Sequence, residues 1–526
     1  RTLAQTASAS DAKTFRQLAA RIETVVEAPP QTFHEATIWL AFFMTLNRTY
    51  NGMNVLGRLD LLLWPFFEAD IAAGRLHEDE AIFLLQSLLI HDTHFICLGG
   101  TDAAGQDASN RLSWLILRAW RGIRGPANIG LRVHEHTPND LLVLALEVLL
   151  ETGQGTPSLV NDTAIVEGLT AMGMPEEVAR AYSYGGCHWW GVPGAQYGLS
   201  DGTKINLPAS LMAALERMMA DGEPGLARLW TLFEEAVGHA FQLVSRSYDI
   251  HLDEAGRIYP ELFGSLWAHG PVDQARDVFD GALEFNYFLA DVMGIANGVD
   301  ALAALETVVE KQGLFSWKHV WEALQNNFAG HPALQSVLQA APKFGNDDPY
   351  VDGIARRVRA LCVDAARAAE PGDGRFRILT GFYSWIAHVG TGAGMGATPD
   401  GRAAGQPLAH GANPVEGRAR QGLTALAKSV AAIQPQTGAS APLHLEIQPD
   451  LFRNADGMDL LMAFVRTYFD LGGTQIIVNF VSRDTLADAI AHPDHHRDLV
   501  IRVTGFSAYF VNLDPSLHPE ILSRFE

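Results

Sequence analysis

Apolar residues at helical spacing begin near Phe33 and continue to about Leu46. Thr32, with Glu35 three residues on, predicts a capped start to that helix after the Pro29-Pro30 break. Further helices are predicted over Leu61–Ala73, Asp79–Ile90 and from Pro138 through Leu150. From about Pro208 to Ala341 the pattern reads as helix throughout, with breaks at Gly222-Glu223-Pro224 and Gly270-Pro271, so Tyr287 and Phe288 read as helical core. Alternation takes over elsewhere. Leu131, Val133 and Glu135 alternate with Arg132, His134 and His136, and His444 alternates with Leu443 and Leu445 so that it shares a face with Glu446. Thr380–Val389, Gln475–Phe480 and Ile501–Val503 read as further β-rich runs.

Composition narrows what such a chain can do. Its 526 residues, 48% of them hydrophobic, can bury a large core. A net charge of −22 argues against a nucleic-acid partner, whose backbone requires a basic face. No signal peptide and no apolar run long enough for a bilayer is found. Cys97, Cys187 and Cys362 are an odd number, far apart, and match no zinc spacing; they suit a reduced, cytoplasmic setting. His134 and His136 have the spacing of a metal pair but no third ligand nearby, which favours a structural or substrate contact.

Glycine marks the segments with chemistry in them. Leu98–Asn110 is a turn-dense loop entering a helix, best read as held by Asx hydrogen bonds because the calcium-loop spacing is missing. Pro342–Asp352 carries three acids, of which Asp347, or else Asn346, would cap the next helix. In Tyr184-Gly185-Gly186-Cys187-His188-Trp189-Trp190-Gly191 the cysteine lies between glycine and a bulky aromatic group. A nucleophilic Cys187–His188 pair is poorly served there, since neighbours on extended backbone point apart. Near the C-terminus, Arg502-Val503-Thr504-Gly505-Phe506-Ser507-Ala508-Tyr509-Phe510 sets a lone glycine among apolar residues, read from composition as a bulge or tight turn.

These two segments, with Gly57–Asp60, the Leu98–Asn110 loop, Arg132–His134, Gly153–Asp162, Pro342–Asp352 and Gly396–Leu408, all in the family's order, resemble the glycyl radical enzymes, the pyruvate formate-lyase superfamily. Phe506 stands where the usual form has Tyr. The resemblance implies an α/β fold: a barrel of ten strands in two five-stranded halves, wrapped by helices, with the cysteine and glycine loops inside. One domain would span 1–526, with a peripheral segment to about 32 and a glycyl radical region from about 480. The family usually has a long helical region before the segment at Phe33, which is nearly absent here.

The resemblance also implies a mechanism. Gly505 would store a radical at Cα, where both flanking amides delocalise it and no side chain crowds the plane, and Cys187 would become the thiyl that takes hydrogen from substrate. Members that perform eliminations carry Glu two residues after the cysteine, where this chain has Trp189, and pyruvate formate-lyase has a second cysteine where this chain has His188. His188 is therefore either an acid/base in place of that Glu or a packed histidine. Trp189 and Trp190 would wall a substrate pocket or pack in the core, Asp201 matches a substrate-contacting position, and Arg132, His134 and His444 are further candidate contacts. The expected activity is a lyase cleaving C–X or C–C bonds of a small or aromatic molecule; the alternatives are acyl transfer or C–C addition, or a radical-inactive binding homologue. No bound cofactor or metal is expected. The radical would be installed by a separate radical S-adenosylmethionine activating enzyme, and a homodimer is expected.

Overall fold

The computed structural model describes residue 5 and residues 8–50, 54–91, 94–196, 203–454 and 456–525. Thirteen strands fall within them. β1 (Asn54–Arg58), β2 (His94–Gly99), β3 (Asn128–Val133), β4 (Ser158–Asn161), β10 (Leu443–Ile447) and β11 (Gln475–Phe480) form one sheet in the order β1-β2-β3-β4-β11-β10. β7 (Lys204–Asn206), β8 (Tyr287–Met293) and β9 (Arg377–Gly381) form a second, parallel sheet. The first four strands run parallel, and β11 meets β4 antiparallel before pairing parallel with β10. A hydrogen bond from Phe382 N to Ser440 O (3.3 Å) ties the end of β9 to the approach to β10. The α/β class is the expected one. Among the described residues the two sheets hold nine strands, where the resemblance implied ten.

Side-chain alternation shows that these sheets have an inside and an outside. Along β2, Phe95 and Cys97 join the inner apolar cluster around Cys187, while Ile96 and Leu98 join the large outer cluster under the helices. β8 does the same, with Tyr287 and Leu289 inward and Phe288, Ala290 and Val292 outward. A strand buried on both faces shows no polar alternation, which is why Tyr287–Met293 read as helix in the sequence and is a strand in the fold. The same region does contain the predicted helices Leu207–Asp221 and Leu226–Ile258. The β-rich reading of Thr380–Val389 also changes: the strand stops at Gly381, and Ala387–Ala393 is helical.

Local signals were more reliable. Thr32 Oγ1 accepts from Glu35 N (3.2 Å) and Glu35 Oε2 from Gln31 N (2.9 Å), closing the start of the Phe33–Tyr50 helix. Asp102 Oδ1 accepts from Ala104 N and Gln106 N, the Asx turn expected in the Leu98–Asn110 loop. The cap of the Pro349–Ala369 helix is one residue later than read, at Asp348, whose Oδ1 accepts from Tyr350 N.

Two hairpins complete the strands. β5 (Ser183–Tyr184) pairs with β6 (Trp190–Gly191), and β12 (Val500–Arg502) with β13 (Ser507–Tyr509). Each presents its loop to the interior.

Candidate active site

The cysteine loop is the tip of the β5–β6 hairpin, closed by Gly185 N donating to Trp189 O (3.0 Å). The Trp189 indole folds back over Gly185 and Gly186, and a Cβ at either glycine would overlap it. Glycine is therefore required by close packing, and the fold-back delivers Cys187 into the interior at 5% exposure. Gln475 Nε2, on β11, donates to Cys187 O (3.2 Å) and pins the loop to the sheet.

The glycine loop is the tip of β12–β13, with Val503 N donating to Phe506 O. Arg502, fully buried, holds it from within: one guanidinium nitrogen donates to Gly505 O (2.7 Å) and the other to Asn128 Oδ1 (2.7 Å). Asn479 clamps the backbone beside it, accepting from Arg502 N (2.9 Å) and donating to Arg502 O (2.8 Å). The two tips meet. A Cβ built on Gly505 would overlap the Cβ of Cys187 and stand 2.7 Å from its Sγ and 2.6 Å from the Tyr383 hydroxyl. No side chain larger than hydrogen fits there.

The His188 ring is fully buried, with Nε2 2.7 Å from Asp291 Oδ1 on β8. Lys204 Nζ lies 3.7 Å from the other Asp291 oxygen. The imidazole stacks on the Tyr383 ring at 3.9 Å and 28°, leaving Nδ1 buried without a partner. Asp291 and Tyr383 were missed in the sequence. The signal for Asp291 was a lone acid in the run Phe288-Leu289-Ala290-Asp291-Val292-Met293, lost because that run was read as helix.

The other candidates divide. Trp189, 6% exposed, lines the inner cluster and has an unpartnered buried Nε1. Trp190 is core: it stacks on Tyr184 at 4.7 Å and its Nε1 donates to Ser440 Oγ (3.1 Å). His444, 4% exposed, sits behind Tyr383 with ring centroids 6.2 Å apart. Arg132 is held elsewhere, donating to Asp162 Oδ1 (2.7 Å), Tyr182 O (2.9 Å) and Arg180 O (2.8 Å) while lying over the Tyr182 ring. His134 turns to Asp107 (3.1 Å) and meets the exposed His136 edge to face at 6.3 Å beyond the end of β3, so the two histidines come together while Arg132 is held apart by Asp162. None of these hydrogen bonds of Arg132 and His134 reaches Cys187 or Gly505. Asp201 lies outside the described residues. Among the described residues, no group of three or more His, Cys, Asp or Glu side chains is arranged to hold a metal ion, and no helix is long and apolar enough to cross a membrane.

Comparison with known proteins assigns the two loops to two matched segments. The pyruvate formate lyase-like family profile matches residues 1–392, and the glycine radical profile matches residues 408–511. The chain belongs to the pyruvate formate-lyase-like family of glycyl radical enzymes. It is 30% identical over 568 residues to the probable dehydratase YbiW of Escherichia coli, covering 97% of this chain and 69% of that protein. It is 28% identical over 548 residues to the isethionate sulfite-lyase of Oleidesulfovibrio alaskensis, covering 95% of this chain and 66% of the relative. The chain thus spans about two thirds of the length of the curated relatives it matches. A glycyl radical enzyme from Archaeoglobus fulgidus superposes with a TM-score of 0.92 at 26% identity, over 99% of this chain and 72% of the other.

Proposed function

We propose that this chain is the catalytic body of a glycyl radical lyase that cleaves a C–X bond in a small organic molecule. The meeting of Gly505 with Cys187 in a buried interior carries this reading. An activating enzyme of the radical S-adenosylmethionine class removes one hydrogen atom from Gly505 Cα. The glycyl radical takes the thiol hydrogen of Cys187, restoring the glycine and leaving a thiyl. The thiyl takes a hydrogen atom from a substrate carbon, the neighbouring C–X bond breaks, and the product radical recovers the hydrogen from the thiol. Burial keeps water and oxygen from the unpaired electron.

An elimination also needs a proton acceptor or donor near the sulfur. His188 takes that part in place of the Glu absent at Trp189. Asp291 fixes the ring through Nε2, which leaves Nδ1 for proton exchange. Trp189 packs in the same inner cluster as Cys187, and His444 lies behind Tyr383. The relatives named as a sulfite-lyase and as dehydratases support C–X cleavage over acyl transfer.

The test is anaerobic activation followed by electron paramagnetic resonance. A doublet from coupling to the remaining Gly505 α-hydrogen is expected, absent in Gly505→Ala and present in Cys187→Ala. A protein that yields no doublet under conditions that activate a related enzyme is not a radical lyase.

A further inference from the structure

Arg502 is a buried cation without an anion. Other arginines of the interior are settled in one of two ways. Arg132 and Arg524 face carboxylates, and Arg402 spends its nitrogens on the Thr398 hydroxyl and on backbone carbonyls. Arg502 does neither. It is fully buried, its Nε has no partner, and its two terminal nitrogens donate to Asn128 Oδ1 and to Gly505 O, both at 2.7 Å. Among the described residues no carboxylate forms an ion pair with it. A charge taken out of water and left uncompensated is costly, and here the surroundings enforce it. Asn479 grips the Arg502 main chain at both N and O, and a Cβ on Gly155 would overlap the Arg502 Cβ. The guanidinium is thus fixed in advance, and the one backbone carbonyl it bonds is that of Gly505.

That carbonyl is half of the group that would hold the unpaired electron. A radical at a glycine Cα is stabilised when the amide nitrogen on one side releases electron density and the carbonyl on the other withdraws it. A full positive charge hydrogen-bonded to the carbonyl oxygen deepens the withdrawal, and in a water-excluded site little screens it. We propose, on the reading of Gly505 as the radical site, that the uncompensated charge of Arg502 polarises the Gly505 carbonyl and lowers the energy of the stored radical, beyond holding the loop in place.

Asn128→Asp separates charge from shape. It keeps the side chain's size and the oxygen that accepts from Arg502 and from Ser507 N (3.1 Å), and it adds the missing anion. Arg502→Gln removes the cation outright. In unactivated protein the two Gly-Phe junctions of the chain, Gly381-Phe382 and Gly505-Phe506, give two signals when glycine carbonyls carry ¹³C and phenylalanine nitrogens carry ¹⁵N, and Phe506→Tyr identifies the second. Its carbonyl resonance should move upfield in Arg502→Gln and, by a smaller step, in Asn128→Asp, while the Gly381-Phe382 signal stays in place. In activated protein the glycyl doublet should widen in both variants, because spin no longer drawn onto the peptide stays on Cα and couples to its remaining hydrogen. In Arg502→Gln it should also decay about tenfold faster, the scale of one hydrogen bond to a charged group. A purely positional Arg502 would leave both readouts unmoved in Asn128→Asp. That result overturns the polarising role, even where Arg502→Gln does not fold. A parent protein that yields no doublet fails earlier, at the radical reading itself, and takes the role of Arg502 with it.

Discussion

Gly505 and Cys187 compete for one space: a Cβ on the glycine would overlap that of the cysteine and lie 2.7 Å from its sulfur. This makes a prediction that needs no radical. Gly505→Ala should destabilise the fold by about 1–3 kcal/mol through overpacking. Cys187→Ala should not relieve that strain, because the offending Cβ stays, whereas Cys187→Gly should relieve much of it. A double-mutant cycle by urea unfolding measures the coupling, expected at about 0.5–3 kcal/mol for groups in direct contact. Zero coupling between Gly505→Ala and Cys187→Gly would mean that the loops are not apposed.

The His188–Asp291 pair can be separated from radical storage. Asp291→Asn keeps the shape but no longer fixes the imidazole through a carboxylate. With a substrate in hand, turnover of the activated protein should fall by about 10²–10⁴-fold, the range for loss of general acid–base catalysis, while the glycyl doublet keeps its intensity. A packing role alone would leave the rate's dependence on pH unaltered. A His188 ring released from its carboxylate should shift that profile.

Arg132 was a candidate substrate contact in the sequence, and its surroundings predict another outcome. The guanidinium is fully buried against Asp162, with no exposure on either side of the pair worth noting. Removing one partner of such a pair leaves an uncompensated buried charge, costing about 3–5 kcal/mol. Arg132→Met should therefore lower the unfolding midpoint markedly. Any folded fraction should retain the KM of the parent, which a binding role would not allow.

The sequence was most legible where the signal is local. The Thr32 cap and the Asx turn at Asp102 were readable because each answers to neighbours a few residues away, whereas Gly505 answers to Cys187 and Tyr383. The placing of Cys187 beside Gly505 came from resemblance, since nothing local relates residues 318 positions apart (505 minus 187). Tyr287–Met293 was misread because burial on both faces erases the period of two. Asp291, Tyr383 and His410 went unseen for a related reason: each gains its meaning from a partner on another strand or loop. Arg132 and His134 looked alike on paper, and only the fold shows Asp162 and Asp107 claiming them.

Two carboxylates share Arg524 unequally, Glu520 at 2.8 Å and Glu446 at 3.5 Å, and both are buried. Glu446 is pushed up to about 7 by burial, which outweighs Arg524 and Asn479. Glu520 is also buried, but Arg524 and His388 together hold it down at about 2. The signs follow by linkage. A carboxyl raised in the folded state contributes stability that is fully present below its unfolded value near 4.5 and is lost as pH rises through about 7. For Glu446 the loss is on the order of 3 kcal/mol, taking about 1.4 kcal/mol per unit. A carboxyl lowered in the folded state does the reverse, so the contribution of Glu520 is present above about 4.5 and lost as pH falls towards 2. Glu446→Gln should therefore leave stability at pH 4.5 nearly unchanged and raise it at pH 8 by roughly 1–3 kcal/mol. Glu520→Gln should lower stability at pH 7, with the difference fading in acid. Urea unfolding of both variants at the two ends of this range reads the effect directly. A Glu446→Gln protein less stable than the parent at pH 8 would show that the ion pair with Arg524 outweighs the burial of its carboxylate.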